Sequence, residues 1–468
     1  MLAEWHDRPE HRVSYARPDA NGCGPTTTSA STRWSCGRWW TAWCTAHDPL
    51  GGGLSGRAKL DGVQGTDTTS AGRRPHLVFL GHGAERTGPP ILLGHLLAGL
   101  RATHAVNASV IVARSGPLES AYRRSGATVV SVAQGREPFE PLAAGLRRTG
   151  FGRWVPDVQD RRRRHIVGRV EAPDLVYINA ATTPTAALLR ALDPPAETPV
   201  VLHVHELDVG LRRSLAEADR MFLFDRADHV IAASGAVDRL LVGGHGVDPD
   251  RITTCAEFVD ADGVNPLERG DARRRLTLPD DALVIGSVGL PDWRKDPEHL
   301  LRAAAHLRQA GVDPWVVWVG GHPNSVDGTH LSDEAARLGL TDRFRHVAHT
   351  DRPDQWLGAF DVFALPARED ALPLAALEAG AAGLPLVCFR TGGVADLCDL
   401  GAGIAVGYPD TEAFAAALFA LAVDGGGSAG RAAGATAAAL VRRDHDLSDG
   451  VARIRRVIDA VLAGSARR

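Results

Sequence analysis

Acidic side chains near the C-terminus form a pattern that suits binding of a polar ligand. Glu369 and Asp370 follow a short apolar strand expected at 362–365, and Glu378 lies on the helix that comes next. That helix is expected to begin near Pro373, because proline is tolerated in a first turn, where its missing N–H is not needed. One carboxylate would then stand at the carboxyl end of a strand, beside the positive end of a helix dipole. In an open α/β sheet, ligands bind at this edge.

An arginine and a lysine stand side by side after another expected strand, 284–288. They are Arg294 and Lys295, and Lys295 is the only lysine after residue 59. In a strand-end loop both side chains can project onto a diphosphate, arginine through a planar fork and lysine as a point charge. This pair is the candidate site for a phosphate-bearing ligand.

A glycine-rich loop follows the first expected strand and contains Gly83, Thr87 and Gly88. An NTPase P-loop would continue with Lys-Ser or Lys-Thr after Gly88, but two prolines stand there. The spacing of a dinucleotide-binding loop also fails, because the third glycine comes too late. What remains is a loop before a helix, expected from Ile91, whose backbone N–H groups can approach an anion.

Two histidines, His203 and His205, lie at the end of the fifth expected strand. Alternation along a strand places them on one face, with Val204 on the other. His205 is the candidate functional residue, because it lies at the carboxyl end of the strand. His203 is expected to lie inside the strand.

Short apolar runs alternate with helical stretches from residue 76 onward, which predicts an α/β fold with helices on both faces of parallel sheets. The expected strands are 76–80, 109–113, 128–132, 175–179, 200–205 and 229–233, then 284–288, 315–319, 345–349, 362–365, 385–389 and 404–406. Two such series predict two Rossmann-like domains, which we expect at 75–262 and 263–446. A final helix with one buried face is expected within 447–468.

Two further segments are polar and lack sustained periodicity. Residues 1–74 contain Ser/Thr and Gly runs and half of the tryptophans, so we expect a disordered extension. An over-extended start site, or a docking element built on Trp39 and Trp40, are the alternatives. The segment with Arg161–Arg164 is either a solvated surface or a basic patch for an anionic lipid surface or an acidic acceptor.

Composition excludes several functions. A net charge of -4 over 468 residues gives no field that attracts a polyanion, so no nucleic-acid partner is expected. The six cysteines lack zinc-ligand spacing, and the Asp-x-Asp triplets at 248–250 and 260–262 lie among turn residues, so no metal is expected. Without an apolar run of membrane-spanning length or a signal peptide, we expect a cytoplasmic protein. Peripheral contact with the inner membrane face is left open.

The acids and the glycine turn after them resemble a family signature. Asp370, seven further residues and Glu378 are followed by Ala-Gly-Ala-Ala-Gly-Leu-Pro and then by Gly-Gly-Val-Ala-Asp at 392–396. This order resembles the acid-x7-acid signature of the family 4 retaining glycosyltransferases, which have the GT-B fold. The resemblance extends over roughly residues 76–465, nearly all of the part in which strands and helices alternate.

Three positions depart from the family's pattern. Asp296 stands where the family usually has glycine after lysine, which puts the backbone conformation of that loop in doubt. Pro89 replaces the alanine of the Arg-Thr-Gly-Ala-Pro loop that the first loop resembles. Leu372 stands where many relatives carry an aromatic residue, a change that would alter the packing of the donor.

The resemblance implies a metal-independent enzyme without a cofactor that moves a sugar from a UDP- or GDP-sugar, with retention of configuration. The donor would lie between two facing sheets, mostly on the second domain. A glycan, lipid or small-molecule acceptor would lie on the first domain, onto which the last helix would cross back. By resemblance, the departing diphosphate would be neutralised by Arg294, Lys295 and the amides near Leu372, Pro373 and Leu374. The sugar would be bound by Asp370, or else Glu369, and by His205, and the ribose would be held by Glu378. The donor would also be lined by Gly392 and Gly393, and the first-domain loop would be formed by Gly83, Thr87 and Gly88.

Two alternatives remain open. A GT-B sugar-nucleotide 2-epimerase or phosphorylase would use the same cleft, and an epimerase would convert its donor without any acceptor. A catalytically degenerate sugar-nucleotide-binding protein would bind the donor without turnover, and the three departures from the pattern favour it. The donor base and sugar, the acceptor and the oligomeric state are left open.

Overall fold

The computed structural model describes residues 74–102, 106–133, 155–423 and 427–465. Within these ranges helices and strands alternate along the chain and build two parallel sheets. The expected disordered extension lies outside the described residues, apart from Arg74.

The first sheet has seven parallel strands among the described residues, in the order β3-β2-β1-β4-β5-β6-β7. The strands are β1 (His76–Gly81), β2 (Asn107–Arg114), β3 (Thr128–Ala133), β4 (Leu175–Ile178), β5 (Val200–Val204), β6 (His229–Ala232) and β7 (Ile252–Thr254). The sequence predicts the first six. It misses β7, because this edge strand is only three residues long and two of them are threonines, so no apolar run marks it.

Helices connect these strands on both faces of the sheet. They are α1 (Gly88–Ala102), α2 (Glu119–Arg124), α3 (Val155–Val167), α4 (Thr183–Leu192), α5 (Asp208–Ser214), α6 (Glu217–Arg226) and α7 (Gly235–His245). Helix α1 begins three residues before the expected Ile91, because the two prolines after Gly88 fit a first turn. The arginines at 161–164 lie on α3.

The second sheet has six parallel strands in the described part of the chain, in the order β10-β9-β8-β11-β12-β13. They are β8 (Val284–Val288), β9 (Trp315–Val319), β10 (Phe344–Val347), β11 (Val362–Leu365), β12 (Leu386–Phe389) and β13 (Gly403–Val406). The associated helices are α8 (Arg269–Arg275), α9 (Pro297–Gln309), α10 (Val326–Arg337), α11 (Leu374–Ala381), α12 (Val394–Leu397), α13 (Thr411–Ala422) and α14 (Ser428–Asp444). All expected strands are present, each within two residues of its expected bounds.

Both faces of each sheet are covered by apolar side chains. In β1, Leu77 and Phe79 belong to one buried cluster, while Val78 and Leu80 belong to the cluster on the opposite face. Strands buried on both faces therefore appear in the sequence as continuous apolar runs, as parallel sheets require. Burial on both faces holds the sheets rigidly and leaves the strand ends to carry polar chemistry.

The last helix, α15 (Leu447–Ser465), returns to the first sheet. Its buried residues Val451, Ile454, Val457 and Ile458 belong to the same cluster as β1. Val451 packs directly on α1 at Gly99, where an added Cβ would lie 2.5 Å from the valine Cγ1. The helix thus crosses back onto the first half of the fold, as the sequence predicts.

Both sheets belong to one compact unit that runs from Arg74 to Arg468. The expected boundary between domains at 262–263 therefore stays a prediction, although the strands of the two sheets do not mix along the chain. Among the described helices, none combines the length and the apolar character needed to cross a membrane.

Candidate active site

The loop that carries Arg294 and Lys295 is held in shape by an aspartate. The loop follows β8, and Asp292 Oδ1 accepts the backbone N–H groups of Arg294 at 3.1 Å and Lys295 at 2.9 Å. An aspartate that accepts backbone N–H groups in this way closes a local turn. The two cations are therefore presented by a closed turn at the carboxyl end of β8.

Asp296 adopts a left-handed backbone conformation, which a glycine adopts at no steric cost. Its φ is +48°, in the left-handed region, which costs a non-glycine residue roughly 1 kcal/mol. The buried Asp296 carboxylate forms an ion pair with Arg368, with 3.1 Å from Oδ2 to Nε, and lies 2.6 Å from His299 Nδ1. These contacts offset the backbone cost, so the loop keeps its shape despite the replacement.

Both cations of the loop converge on one carboxylate. Arg294 and Lys295 Nζ each lie 2.7 Å from Asp370 Oδ2. The side chains of Lys295 and Asp370 are only 8% and 10% exposed, whereas that of Arg294 is 33% exposed. Asp292 also acts on both cations, so carboxylates balance the two positive charges in a site that largely excludes water and hold them in place for an incoming anion.

The ionisation of this cluster follows from burial and charge together. Burial lowers the pKa of Lys295, although Asp370 opposes that effect. Burial by itself would raise the pKa of Asp370, but Lys295 and Arg294 outweigh it and hold that pKa below its ordinary value. The pKa of Arg294 is raised, chiefly by Asp370. Asp370 is thus a carboxylate at neutral pH.

Glu378 lies in a different electrostatic environment. It stands on α11, which begins at Leu374, directly after Pro373. In the described part of the chain no cation or N–H group pairs with the Glu378 carboxylate. Burial raises its pKa to about 7, and the nearby Asp354 raises it further in the same direction. Near neutral pH the side chain therefore exists in both protonation states.

Glycines 392 and 393 pack against the backbone of the acidic loop. Gly393 N–H donates to the carbonyl of Ala371 at 2.7 Å, and Gly392 pairs with Asp370 as an isolated parallel bridge. A Cβ on Gly392 would lie 1.6 Å from the Asp370 carbonyl oxygen, which no side chain can do. The glycine turn therefore fixes the position of Asp370 relative to the cations.

The residues between the two acids have separate surroundings. Leu372 is buried in the apolar core of the second sheet, so its side chain contributes to the interior. Pro373 precedes α11 and accepts the N–H of Ala376 at 3.0 Å. Leu374 packs against the cores of both sheets. The expected roles of these three positions in donor binding stay predictions.

Glu369 engages the other half of the fold. Its carboxylate accepts the backbone N–H groups of Val209 at 3.1 Å and Gly210 at 2.5 Å, in the first turn of α5. A carboxylate at a helix N-terminus satisfies unpaired amides and the positive end of the dipole. The structure thus separates the two acids that the sequence left as alternatives: Asp370 contacts the cations, and Glu369 contacts α5.

His205 lies just beyond the end of β5, and His203 lies inside the strand, as expected. His203 Nδ1 is 2.7 Å from the Tyr177 hydroxyl, and the two histidine rings are 3.9 Å apart between centroids. His205 Nδ1 donates to Glu257 Oε1 at 2.6 Å. Burial by itself would lower the pKa of His205, but the Glu257 carboxylate outweighs burial and raises it.

Sequence reasoning missed Glu257. It follows the unpredicted strand β7 and lies 52 positions from its partner, so no local spacing announces the contact. Because β7 itself was not predicted, no strand end in the sequence pointed to this residue.

The first-strand loop borders a pocket that also touches loops of the second sheet. Gly83 is buried, and a Cβ there would lie 1.9 Å from the Glu85 carboxylate. Thr87 lines the pocket, and Gly88 begins α1. The lining residues are His82, Glu85, Arg86, Thr87, Arg114, Pro117, Leu290 and His349. Arg86 also pairs with Asp351 of the second half at 2.9 Å.

The structure therefore brings Arg294, Lys295, Asp370 and the glycine turn together at the carboxyl edge of the second sheet. His205 stands at the corresponding edge of the first sheet. No group of three or more His, Cys, Asp or Glu side chains in the described ranges is arranged to hold a metal ion. Independence from metals stays a prediction.

Two family models match the chain. The model described as Glycosyltransferase Family 4 matches residues 91–262, and the model described as Glycosyl transferases group 1 matches residues 268–429. Among curated relatives, D-inositol 3-phosphate glycosyltransferase 2 of Catenulispora acidiphila is 36% identical over 206 residues, which is 42% of this chain and 48% of the relative. The D-inositol 3-phosphate glycosyltransferase of Salinispora tropica is 35% identical over 243 residues, 48% of each protein. The matches span about half the length of these curated relatives.

Solved structures resemble the chain over a larger share. Anabaena HepE in complex with UDP and glucose has a TM-score of 0.64 at 17% identity, with coverage of 82% of this chain and all of HepE. Sucrose-phosphate synthase from Thermosynechococcus elongatus has a TM-score of 0.65 at 17% identity, with 84% of this chain and all of the synthase covered. At such identities the likeness concerns the fold, and it confirms the expected GT-B architecture of two Rossmann-like sheets. Because the two family models together match most of the sequence, the chain belongs to family 4 of the glycosyltransferases.

Proposed function

We propose that this protein is a retaining glycosyltransferase that moves a sugar from a nucleotide-sugar donor to an acceptor. The observation that carries the proposal is the convergence of Arg294 and Lys295 on Asp370 at the carboxyl edge of the second sheet. A largely buried site with two prepositioned cations suits a leaving group that gains negative charge as its bond breaks.

The leaving group in such a transfer is a nucleoside diphosphate. As the anomeric carbon gains oxocarbenium character, negative charge develops on the diphosphate, and preorganised cations lower the barrier most where that charge appears. Asp370 keeps Arg294 and Lys295 in place before the donor arrives, so little reorganisation is needed. We assign Asp370 a second role, as acceptor of hydrogen bonds from the donor sugar.

The remaining donor contacts follow from position. Glu378, without a partner in the described part of the chain, can accept hydrogen bonds from the ribose hydroxyls when ionised. His205 can hydrogen-bond an oxygen of the donor sugar from the opposite edge. The diphosphate oxygen can take the acceptor's proton, so no separate protein base is required.

We place the acceptor at the pocket beside the first-strand loop. Its lining mixes two histidines, two arginines and one glutamate, which suits a hydroxylated or phosphorylated acceptor. D-inositol 3-phosphate is the natural first compound to test, because the curated relatives carry its name.

We also propose a cytoplasmic location. Any peripheral contact with an anionic membrane would use α3, on which Arg161 and Arg164 are exposed. Sedimentation with anionic vesicles tests whether α3 makes this contact. A parent that sediments with the vesicles and an Arg161→Ala/Arg164→Ala variant that sediments equally would contradict the use of α3.

The test is a panel of UDP- and GDP-sugars, each incubated with and without acceptors that include D-inositol 3-phosphate. We expect release of nucleoside diphosphate to rise when the right acceptor is added, and NMR of the product to show retained anomeric configuration. Addition of EDTA should leave the rate unchanged. An epimerised donor without acceptor would favour the epimerase alternative, and donor binding without turnover would favour the degenerate binding protein.

A further inference from the structure

Glu257 is a buried acid behind His205, and its backbone is fixed on both sides. Its N–H donates to the carbonyl of Ala233, at the end of β6, at 3.1 Å. Its carbonyl accepts a hydrogen bond from His445 Nδ1 at 2.8 Å, two residues before α15 begins. The main chain at Glu257 is therefore tied to both the sheet edge and the start of the crossing helix.

The Glu257 side chain makes one short contact, to His205. Oε1 lies 2.6 Å from His205 Nδ1, and the two side chains are 6% and 3% exposed. A carboxylate can only accept here, so Nδ1 must carry the hydrogen. His205 Nε2 is buried and makes no well-aligned hydrogen bond among the described residues, although the backbone carbonyl of Asn179 acts on the ring. Nδ1 is thus fixed by a short contact, whereas Nε2 lacks a hydrogen bond of good geometry.

Other ionisable groups face the same ring. His203 stacks beside it, and burial lowers the pKa of His203, which keeps that ring neutral. Burial also lowers the pKa of His82. Glu206 lies next to His205 and adds negative charge, but burial raises the pKa of Glu206. Of these neighbours, Glu257 has the strongest favourable effect on the charged form of His205.

We propose that Glu257 is a positioning residue, whose carboxylate accepts the Nδ1–H of His205 and so directs the ring's Nε2 toward a substrate hydroxyl. The inference rests on the proposed function for the identity of the substrate. A neutral ring with hydrogen on Nδ1 could only accept at Nε2, so the acid determines which kind of hydrogen bond His205 can make.

The test compares Glu257→Gln, Glu257→Asp, His205→Asn and the double variant Glu257→Gln/His205→Asn in the full chain. We expect Glu257→Gln to lower kcat by about 10- to 100-fold, the range found when a partner that orients a functional histidine is removed. KM for the donor should change little, and the pH profile of kcat should shift to lower pH, because the carboxylate that raises the pKa of His205 is removed. The double variant should be no slower than His205→Asn, and Glu257→Asp should restore part of the rate. Glu217→Gln, which removes a surface carboxylate on α6, is the matched control.

A second readout does not depend on turnover. Titration of the His205 imidazole by NMR should show a lower pKa in Glu257→Gln than in the parent, because the strongest effect that opposes burial is then removed. An unchanged titration would overturn the inference whatever the activity. The inference would also be overturned if the losses of kcat in Glu257→Gln and His205→Asn multiplied in the double variant. If the parent turns over no donor, the proposed function fails, while the imidazole titration still decides on the pair.

Discussion

At the scale of single residues, the site depends on which charges are paired before a ligand arrives. Asp370 is held by two cations, whereas Glu378 has no partner in the described residues and a pKa raised to about 7 by burial. The two ends of the acid-x7-acid signature therefore differ in ionisation, although the sequence presents them as equivalent carboxylates. This difference leads to a prediction about pH.

Donor affinity should increase as pH rises through the pKa of Glu378. Only the ionised carboxylate can accept from two ribose hydroxyls, so the dissociation constant of the nucleoside diphosphate should fall about tenfold between roughly pH 6 and 8. In Glu378→Gln binding should be weaker and lose this dependence. Calorimetric titrations across that range measure both effects, and a Gln variant that keeps the parent's pH dependence would contradict the assignment.

The same residue should leave a trace in stability. Its pKa when folded, about 7, lies above the ordinary value of 4.5, so the folded state binds the proton more tightly than the unfolded state. The contribution of Glu378 to the free energy of unfolding should therefore be greatest below about pH 4.5 and fall until about pH 7, by about 3 kcal/mol at most. Denaturant unfolding at several pH values should show it as a stability of the parent that falls relative to that of Glu378→Gln over this range.

At the scale of elements, the strands and helices were largely predictable and the contacts between loops were not. Most expected strands formed because their apolar runs are buried on both faces, although the edge strand β10 is only half-buried, and β7 was missed because it is short and polar. Helix α1, expected from Ile91, begins three residues earlier because prolines fit its first turn. The contacts of Glu257 and Glu369 join residues 52 and about 160 positions apart, and periodicity carries no information about such pairs.

The candidate site was predictable to the same degree. The positions of Arg294, Lys295 and Asp370 follow from strand ends alone, because parallel strands bring their carboxyl ends to one edge. The convergence of both cations on one Asp370 oxygen does not follow from strand ends, because it depends on the turn at Asp292 and on the glycine turn at 392–393.

The glycine turn provides a prediction at this scale. In Gly392→Ala the added Cβ must push the Asp370 backbone away, so Asp370 should lose its alignment with the cations. We expect kcat/KM to fall by about 100-fold and stability to fall by about 1–3 kcal/mol. The control is Gly407→Ala, where the added Cβ meets nothing within 4 Å. Equal behaviour of the two variants in donor turnover and unfolding would refute the role of the turn.

At the scale of the whole molecule, the two halves meet through the crossing helix α15, through Leu374 and through polar contacts of their facing loops. Glu369 caps α5 from the second half, Arg213 lies over the Trp293 ring with 4.7 Å to its centroid, and Arg86 pairs with Asp351. Exposed pairs such as Arg86–Asp351 contribute little to stability. The hydrogen bonds of Glu369 to the amides of α5 are stronger, because its carboxylate is charged and buried. Glu369 is therefore the contact most able to hold the cleft closed.

Replacing Glu369 by Gln should loosen that closure. The backbone amides of Val209 and Gly210 should exchange hydrogen faster, because a neutral amide accepts more weakly than a carboxylate. Hydrogen-exchange mass spectrometry of the α5 segment measures this, with Glu412→Gln on the surface of α13 as control. Unchanged protection of α5 would show that Glu369 does not hold the two halves together.

The central claim is that Arg294 and Lys295 bind the diphosphate of the donor. Calorimetric affinities for a nucleoside diphosphate and for the matching nucleoside, in the parent and in Lys295→Ala, test it most directly. Lys295→Ala should lose about 10- to 100-fold in affinity for the diphosphate, because it removes one charge-assisted hydrogen bond. Its affinity for the nucleoside should equal that of the parent. Equal losses for both ligands, or no loss for the diphosphate, would contradict it.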